Sequence, residues 1–456
     1  MRSAVRCGSS AARQQPPDRG TTTTTGDGAM GTDEQLDDFF SAARVTARDE
    51  DVTLTSDSFR EHLYDHDDPV LAQWRGLDWA EFSRRKMSPD FVQELLAEWR
   101  ALYDEPFVGV TTDGTVRDVH RLRPPSDPDP APARAARELL DRLDADQREA
   151  VLHAVDAPEW RAWSNPEFVI HEVGLRLEEL SPEIVEATLG VVRASLSPEG
   201  YDRVVEAMEL NGYLGDLVDL PELMNDRSYW FSLFGKPSTS GAWGWQLFGH
   251  HVAVNFVSVA GRHVVAPVFL GAEPALSEDR PALFDARERL AIELATSLTD
   301  AQRAEAVVYS SVLDPAMPEG RLHPADERHV AGAFRDNRVI PAEGICAAEL
   351  TDDQWALLRA VAEDFLLLLS APQREATMGD VDAFRHETWF AWYGATDGSQ
   401  PFYLRIQSPV VLAELDHHAG VWLSNQLPAR FHVHTTLRMP NGNDYGRAYV
   451  RALDPS

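Results

Sequence analysis

The chain alternates between two hydrophobic patterns. From 132 to about 225, and again from 281 to about 378, apolar residues recur at helical spacing. From 229 to 270 and from 386 to 450, β-branched and aromatic residues crowd together as they do in strands. Several helix starts are legible from their caps. Asp144 with Gln147, Thr299 with Gln302 and Thr351 with Gln354 have capping-box spacing, in which the first side chain accepts an N–H three residues on and the glutamine returns the bond. Ser181-Pro182 marks a fourth start, because proline at the first helical position lacks an N–H that would be unpaired anyway. Residues 243–247 and 251–256 predict strands, Gly261-Arg262 a turn, and 263–269 the returning strand. Upstream, 33–105 predicts helices in pieces anchored by Trp74, Trp79 and Trp99. Residues 106–110 predict a strand ended by the turn Asp113-Gly114, and 124–132 predicts a Pro- and Asp-rich linker.

The alternation has an internal echo. Residues 230–235 align with 389–394, and the same offset carries Trp243 onto Phe402, Leu247 onto Ile406, Val252 onto Val411 and Gly261 onto Gly420. The helix start at 143–147 resembles that at 298–302. The expectation is an α+β fold of two tandem repeats. Each would be a helical segment followed by an antiparallel strand meander, with the two sheets paired or packed together so that fewer edges stay open. The expected boundaries are a disordered tail over 1–30, a mostly helical segment with one strand over 31–130, repeat 1 over 131–278 and repeat 2 over 279–450.

Charge narrows the partners. The 456 residues include 42 basic and 74 acidic side chains, a formal net charge of -32, which repels phosphate backbones and anionic lipid surfaces. Nucleic acid and membrane are therefore not expected as partners. The basic residues are nearly all Arg, with Lys only at Lys86 and Lys236. Cys7 and Cys346 are the only cysteines, which supports neither a disulfide framework nor a cysteine metal cluster. The longest apolar run, around 365–369, falls far short of the roughly 20 residues of a membrane span. The N-terminus has no apolar signal core, so a cytoplasmic protein is expected; Met30 is an alternative start.

The candidate chemistry lies in the last strands. His432-Val433-His434 puts two imidazoles on one strand face a few ångströms apart, which suits two ligands of one divalent metal. Glu414 and Asp416 have the same spacing on the preceding strand. Glu414 would complete a two-His, one-carboxylate set for Zn, Fe(II) or Mn with open positions for substrate. His250 or His251 would be a fourth ligand or general base; adjacent strand residues face opposite sides, so only one of them joins. Tyr403 and Arg405 share a strand face and Arg438 follows the His pair, placing guanidinium groups to orient a substrate carboxylate. The leading reading is a metal-dependent hydrolase or oxidoreductase acting on a small polar or carboxylated molecule. Two others stay open: a non-catalytic ligand-binding or interaction protein, and a metal-free enzyme using histidine as acid–base. Phosphate-binding loop, dinucleotide fingerprint, nucleophile elbow and His-Glu-x-x-His motif are all absent from the sequence.

Together Tyr229-Trp230, Gly235-Lys236-Pro237, Trp243-Gly244-Trp245-Gln246 and Gly249-His250-His251 resemble a bacterial family of unknown function, number 3500 in the domain-of-unknown-function series. So do 107–114, Pro267 with Gly271-Ala272-Glu273-Pro274, and His432-Val433-His434 through Asn443-Asp444-Tyr445-Gly446. The resemblance covers roughly 106–447 and brings no activity with it. The chain departs from it at Gln407-Ser408-Pro409, where the pattern has a His-Gly-Pro-like turn, and this removes one candidate ligand.

Overall fold

Caps start helices where their chemistry allows. In the computed structural model, which describes residues 58–278 and 280–453, all three capping boxes form. Ser181 accepts the Ile184 N–H. The box glutamines Gln302 and Gln354 also bond to each other at 2.8 Å, tying two helix starts together. The tail over 1–30, Cys7 and the alternative start Met30 lie outside the described residues. Among the described residues, no helix is long and apolar enough to cross a membrane.

The N-terminal part comprises α1 (Pro69–Ala72), α2 (Trp79–Lys86) and α3 (Asp90–Asp104). The next elements are α4 (Ala131–Arg142), α5 (Ala145–Val151), β1 (Leu152–His153), β2 (Leu175–Arg176), α6 (Pro182–Ser195) and α7 (Pro198–Leu217). A meander follows, formed by β3 (Tyr229–Gly235), β4 (Ala242–Gly249), β5 (Val252–Val259) and β6 (Arg262–Ala272). The same order of elements then recurs. It runs through α8 (Asp285–Ser297), α9 (Asp300–Ala306), β7 (Val307–Tyr309), β8 (Ile345–Cys346), α10 (Asp352–Phe365) and α11 (Ala371–Ala383). The second meander is β9 (Trp389–Tyr393), β10 (Tyr403–Gln407), β11 (Leu412–His417) and β12 (Val433–Arg438), and α12 (Arg447–Leu453) ends the described chain.

The strands form one twelve-stranded mixed sheet; of the two expected arrangements, pairing and packing, the meanders pair. Its order is β1-β3-β4-β5-β6-β12-β11-β10-β9-β7, with β2 beside β3 and β8 beside β9. All pairings are antiparallel except β1 with β3 and β7 with β9. Each meander would end on an open edge of unpaired N–H and C=O groups. Pairing β6 with β12 satisfies both edges at once, so the halves join edge to edge.

Alternation gives the second half of the sheet two unlike faces. Leu404, Ile406, Ala413, Leu415, Val433 and Leu437 occupy one. The other carries Tyr403, Arg405, Glu414, Asp416, His434, Thr436 and Arg438. A polar face ordinarily meets water, yet every residue of β10, β11 and β12 is buried. The segment from 310 to 344 covers it. The helical pattern expected through this region fails there: four prolines and three glycines interrupt it, and no helix or strand forms between β7 and β8. Two other expectations also change. Residues 106–110 are irregular, with only an isolated bridge from Thr111 to Val339, and 447–453 is helix rather than strand.

Two glycines hold the covering segments against the sheet. Gly174 and Gly344 precede β2 and β8 at φ 92° and 84°, and a Cβ on either would run into the carbonyl oxygen of Phe231 or Phe390. Ala at either position therefore combines a left-handed backbone with a direct clash. Gly344→Ala and Gly174→Ala are each expected to destabilise by about 2–4 kcal/mol in chemical denaturation. An unchanged midpoint in both would count against this packing.

Candidate functional site

The β6–β12 register places Gly271 directly opposite His434, and β11 places Asp416 on its other side. Gly271 is where two imidazoles crowd the backbone: a Cβ there would lie 2.8 Å from His434 Cδ2 and 3.2 Å from His251 Cδ2. His251 sits in the β4–β5 turn at φ 61°. It is held there because its N–H donates to Asn165 O at 3.1 Å and its C=O accepts the Gly271 N–H at 2.8 Å. His432 lies just before β12. Its Nδ1 is 2.6 Å from Ala419 O, so that nitrogen carries the proton, and its bare Nε2 stands 3.0 Å from His434 Nε2.

His251, His432 and His434 thus face one another, with one donor atom from each all within 4.8 Å of the others. At metal–nitrogen distances near 2.0–2.1 Å, two ligands of one ion stand roughly 3 Å apart. The two Nε2 atoms already have that spacing. Burial holds all three imidazoles neutral, well below the ordinary histidine pKa, and neighbouring histidines push them further the same way. Neutral imidazole is the form that binds a metal. Close by, Glu273 accepts N–H groups from Val421, Trp422 and Leu423, and one of its oxygens lies 4.0 Å from His432 Nδ1. Burial pushes its carboxyl up to about 7 against those donors.

A second group, His329, Asp416 and His418, adjoins the first; the His418 and His434 ring centres are 3.8 Å apart. It suits a cation less well. Asp416 already receives Arg328 Nε at 2.7 Å and the Arg328 backbone N–H at 3.2 Å, with His418 Nε2 also at 3.2 Å. Burial alone would raise Asp416, but the Arg328 charge and His418 hold it low. The nitrogens of His329 face Thr436 Oγ1 at 3.0 Å and His434 O at 3.3 Å.

The other residues expected at the site have different surroundings. Glu414 is displaced by one register step: it lies opposite Thr436, while Asp416 takes the place opposite His434. It accepts the Val330 and Ala331 N–H groups and the Tyr403 hydroxyl at 2.9, 3.0 and 2.6 Å and lies 3.6 Å from His329 Nδ1, so it caps the covering segment instead of joining the three-histidine group. His250 turns toward Asn211 Oδ1 at 2.8 Å while stacking on His251. Arg405 is bound to Glu343 and Pro341 O. Arg438 is spent on Asp336, Asp444 and the carbonyls of Ala331 and Gly332. Gln407, at the departure from the family pattern, donates to Ile340 O. Asn165, His329 and His418 escaped the sequence reading, and Gly271 entered it only through the family resemblance. The His417-His418 doublet directly after Asp416 was the one available hint.

A cavity of about 430 Å³ opens onto the three-histidine group. Phe91, Leu95 and Trp99 of α3, with Phe168, Pro324 and Val421, line much of it, and His250, His251 and His434 reach it. Beneath the neighbouring loop, Lys86 is fully buried, 3.0 Å from Glu167 Oε1 and 4.7 Å from the centre of the Trp422 ring. Burial lowers its ammonium to about 8 against the pull of Glu167.

A family model described as a protein of unknown function, DUF3500, matches residues 127–447. The chain belongs to that family. The match takes in His251, Gly271, His432 and His434, while α3 lies upstream of it. No curated protein and no solved structure matches the chain.

Glu414 supplies a pH test of this geometry. Burial would raise its carboxyl, but His329, the Tyr403 hydroxyl and the Val330 N–H bring it down to about 2. A folded pKa below the ordinary carboxylate value adds stability that is fully present above about 4.5 and lost as pH falls toward 2. Glu414→Gln is expected to cost about 3 kcal/mol at neutral pH and to flatten acid unfolding across that window. Denaturation curves from pH 7 to 2 would show it, and an acid limb as steep as wild type would contradict the assignment.

Proposed function

We propose that His251, His432 and His434 hold one divalent metal ion and that the protein is a metal-dependent enzyme acting on a small molecule in the adjoining cavity. The observation that carries this reading is the convergence of three buried, neutral imidazoles, His432 and His434 already at ligand spacing and His434 and His251 at the wall of a cavity. Three imidazoles suit Zn, Fe or Mn and leave positions open for water or substrate. A metal there would polarise a substrate oxygen or activate a bound water, which serves hydrolysis or oxidation. His418, oriented by Asp416, stands beside His434 as an acid–base group. Glu414 leaves the ligand set in this proposal, and His251, expected as a fourth ligand or general base, takes the third place. A non-catalytic ligand-binding protein would use the same cavity.

We also infer that the two series of elements descend from one duplicated unit. Matching element order, the paired capping boxes, and Gly174 and Gly344 lying against Phe231 and Phe390 support this. The halves then diverged: one gives His251 and Gly271, the other His432 and His434.

Elemental analysis of tag-free protein tests the proposal, with about one ion per chain expected. His251→Ala, His432→Ala and His434→Ala are each expected to lower metal affinity at least about tenfold, while Glu414→Gln keeps its metal. Gly271→Ala is expected to weaken the metal too, by displacing rings it does not replace. Metal-free protein, or metal unaffected by all three histidine changes, would sink the reading. Bound metal without turnover of any substrate would favour the ligand-binding alternative.

A further inference from the structure

The walls of the cavity say what class of molecule fits it. Phe91, Leu95 and Trp99 stand four residues apart along α3, so they form one apolar stripe facing the cavity. Neither arginine expected to clamp a substrate carboxylate lines it, and among the described residues its lining includes no Arg or Lys side chain. Of the three carboxylates that line it, Glu98 is paired with Arg335 at 2.7 Å and Glu167 with Lys86 at 3.0 Å, and Glu94 is exposed at the rim on α3. The polar lining, Asn165, His323, the glutamates and the histidines, leaves the stripe on α3 without a polar partner, so a sugar or a multiply charged metabolite would leave the polar groups that face this stripe unpaired. At about 430 Å³ the cavity is near the lower end of the roughly 300–1,000 Å³ usual for small-molecule sites.

We propose that this cavity takes a small molecule with an apolar, ring-sized body packed under α3 and a single oxygen-bearing head group directed at the three histidines. The head-group part rests on the metal reading above; the body part does not. The inference replaces the polar or carboxylated substrate expected from Arg405 and Arg438 with one whose recognition is mainly apolar.

Two probe pairs separate the parts. On metal-loaded protein, calorimetry compares benzohydroxamate with acetohydroxamate, which share a metal-binding head and differ in the ring. The ring is expected to tighten binding about ten- to a hundred-fold. Leu95→Asn and Phe91→Asn, both partly exposed positions on α3, are each expected to remove most of that gain and leave acetohydroxamate unchanged. On metal-free protein, toluene is expected to bind wild type and to be lost in the same two variants. Equal affinity for the two hydroxamates, a ring gain untouched by both variants, or no toluene binding to wild type would each overturn the proposal. Protein that carries no metal yet binds toluene in this way would defeat the metal reading and leave the apolar site standing.

Discussion

Five residue pairs between β6 and β12 fix the position of everything at the histidine cluster. Side chains alternate along a strand, so a slip of one residue would turn His434 to the apolar face and bring a side chain to the place Gly271 leaves empty. The β4–β5 hairpin is locked into the same ladder, because Val252 pairs with both Gly249 and Leu270. That carries His251 in its turn to the flank of Gly271. No half of the chain holds the three imidazoles alone. A metal bound by them would also clamp the two halves together, since binding to ligands assembled only in the folded state adds to folding stability.

The second constraint is a buried polar face. Arg328, Arg438, Glu414 and Asp416 are all buried on one side of β10–β12 or against it, and each has an opposite charge or several backbone groups in reach. Such pairs add little net stability, but removing one partner from a buried pair costs about 3–5 kcal/mol. The covering segment is thus held by directional bonds as well as by the buried Val312, Val330, Phe334 and Ile340. Glu414 takes its N–H groups, Arg438 its carbonyls, and Arg161 reaches Asp336 from the other half of the chain.

That also explains which parts were legible in the sequence. Capping boxes, the aromatic strands and the turn at Gly261 are local signals, and the structure contains them. The His432–His434 spacing is local as well, and both rings do point to one side. Pairing between distant strands is not local. Glu414 and Asp416 look equivalent along the chain, and only the β11–β12 register separates the group beneath Thr436 from the one beneath His434. The segment over 310–344 falls inside the stretch expected to be helical, yet its path is dictated by groups on the sheet, so its His329 and Arg328 carried no readable signal. The choice between pairing and packing of the two sheets was equally hidden, since an open strand edge has the same side-chain pattern whatever covers it.

The burial of Lys86 has a practical consequence. With its ammonium enclosed by Trp74, Phe82 and Trp422 and paired to Glu167, the native fold withholds one of the two lysines of the whole chain from reagents in solution. Lys236 is exposed just past the end of β3. Amine-directed dyes, cross-linkers or surface coupling would therefore mark the folded molecule at one defined side chain besides the terminal amine. That gives a nearly single-site handle on a protein of 456 residues without any engineering.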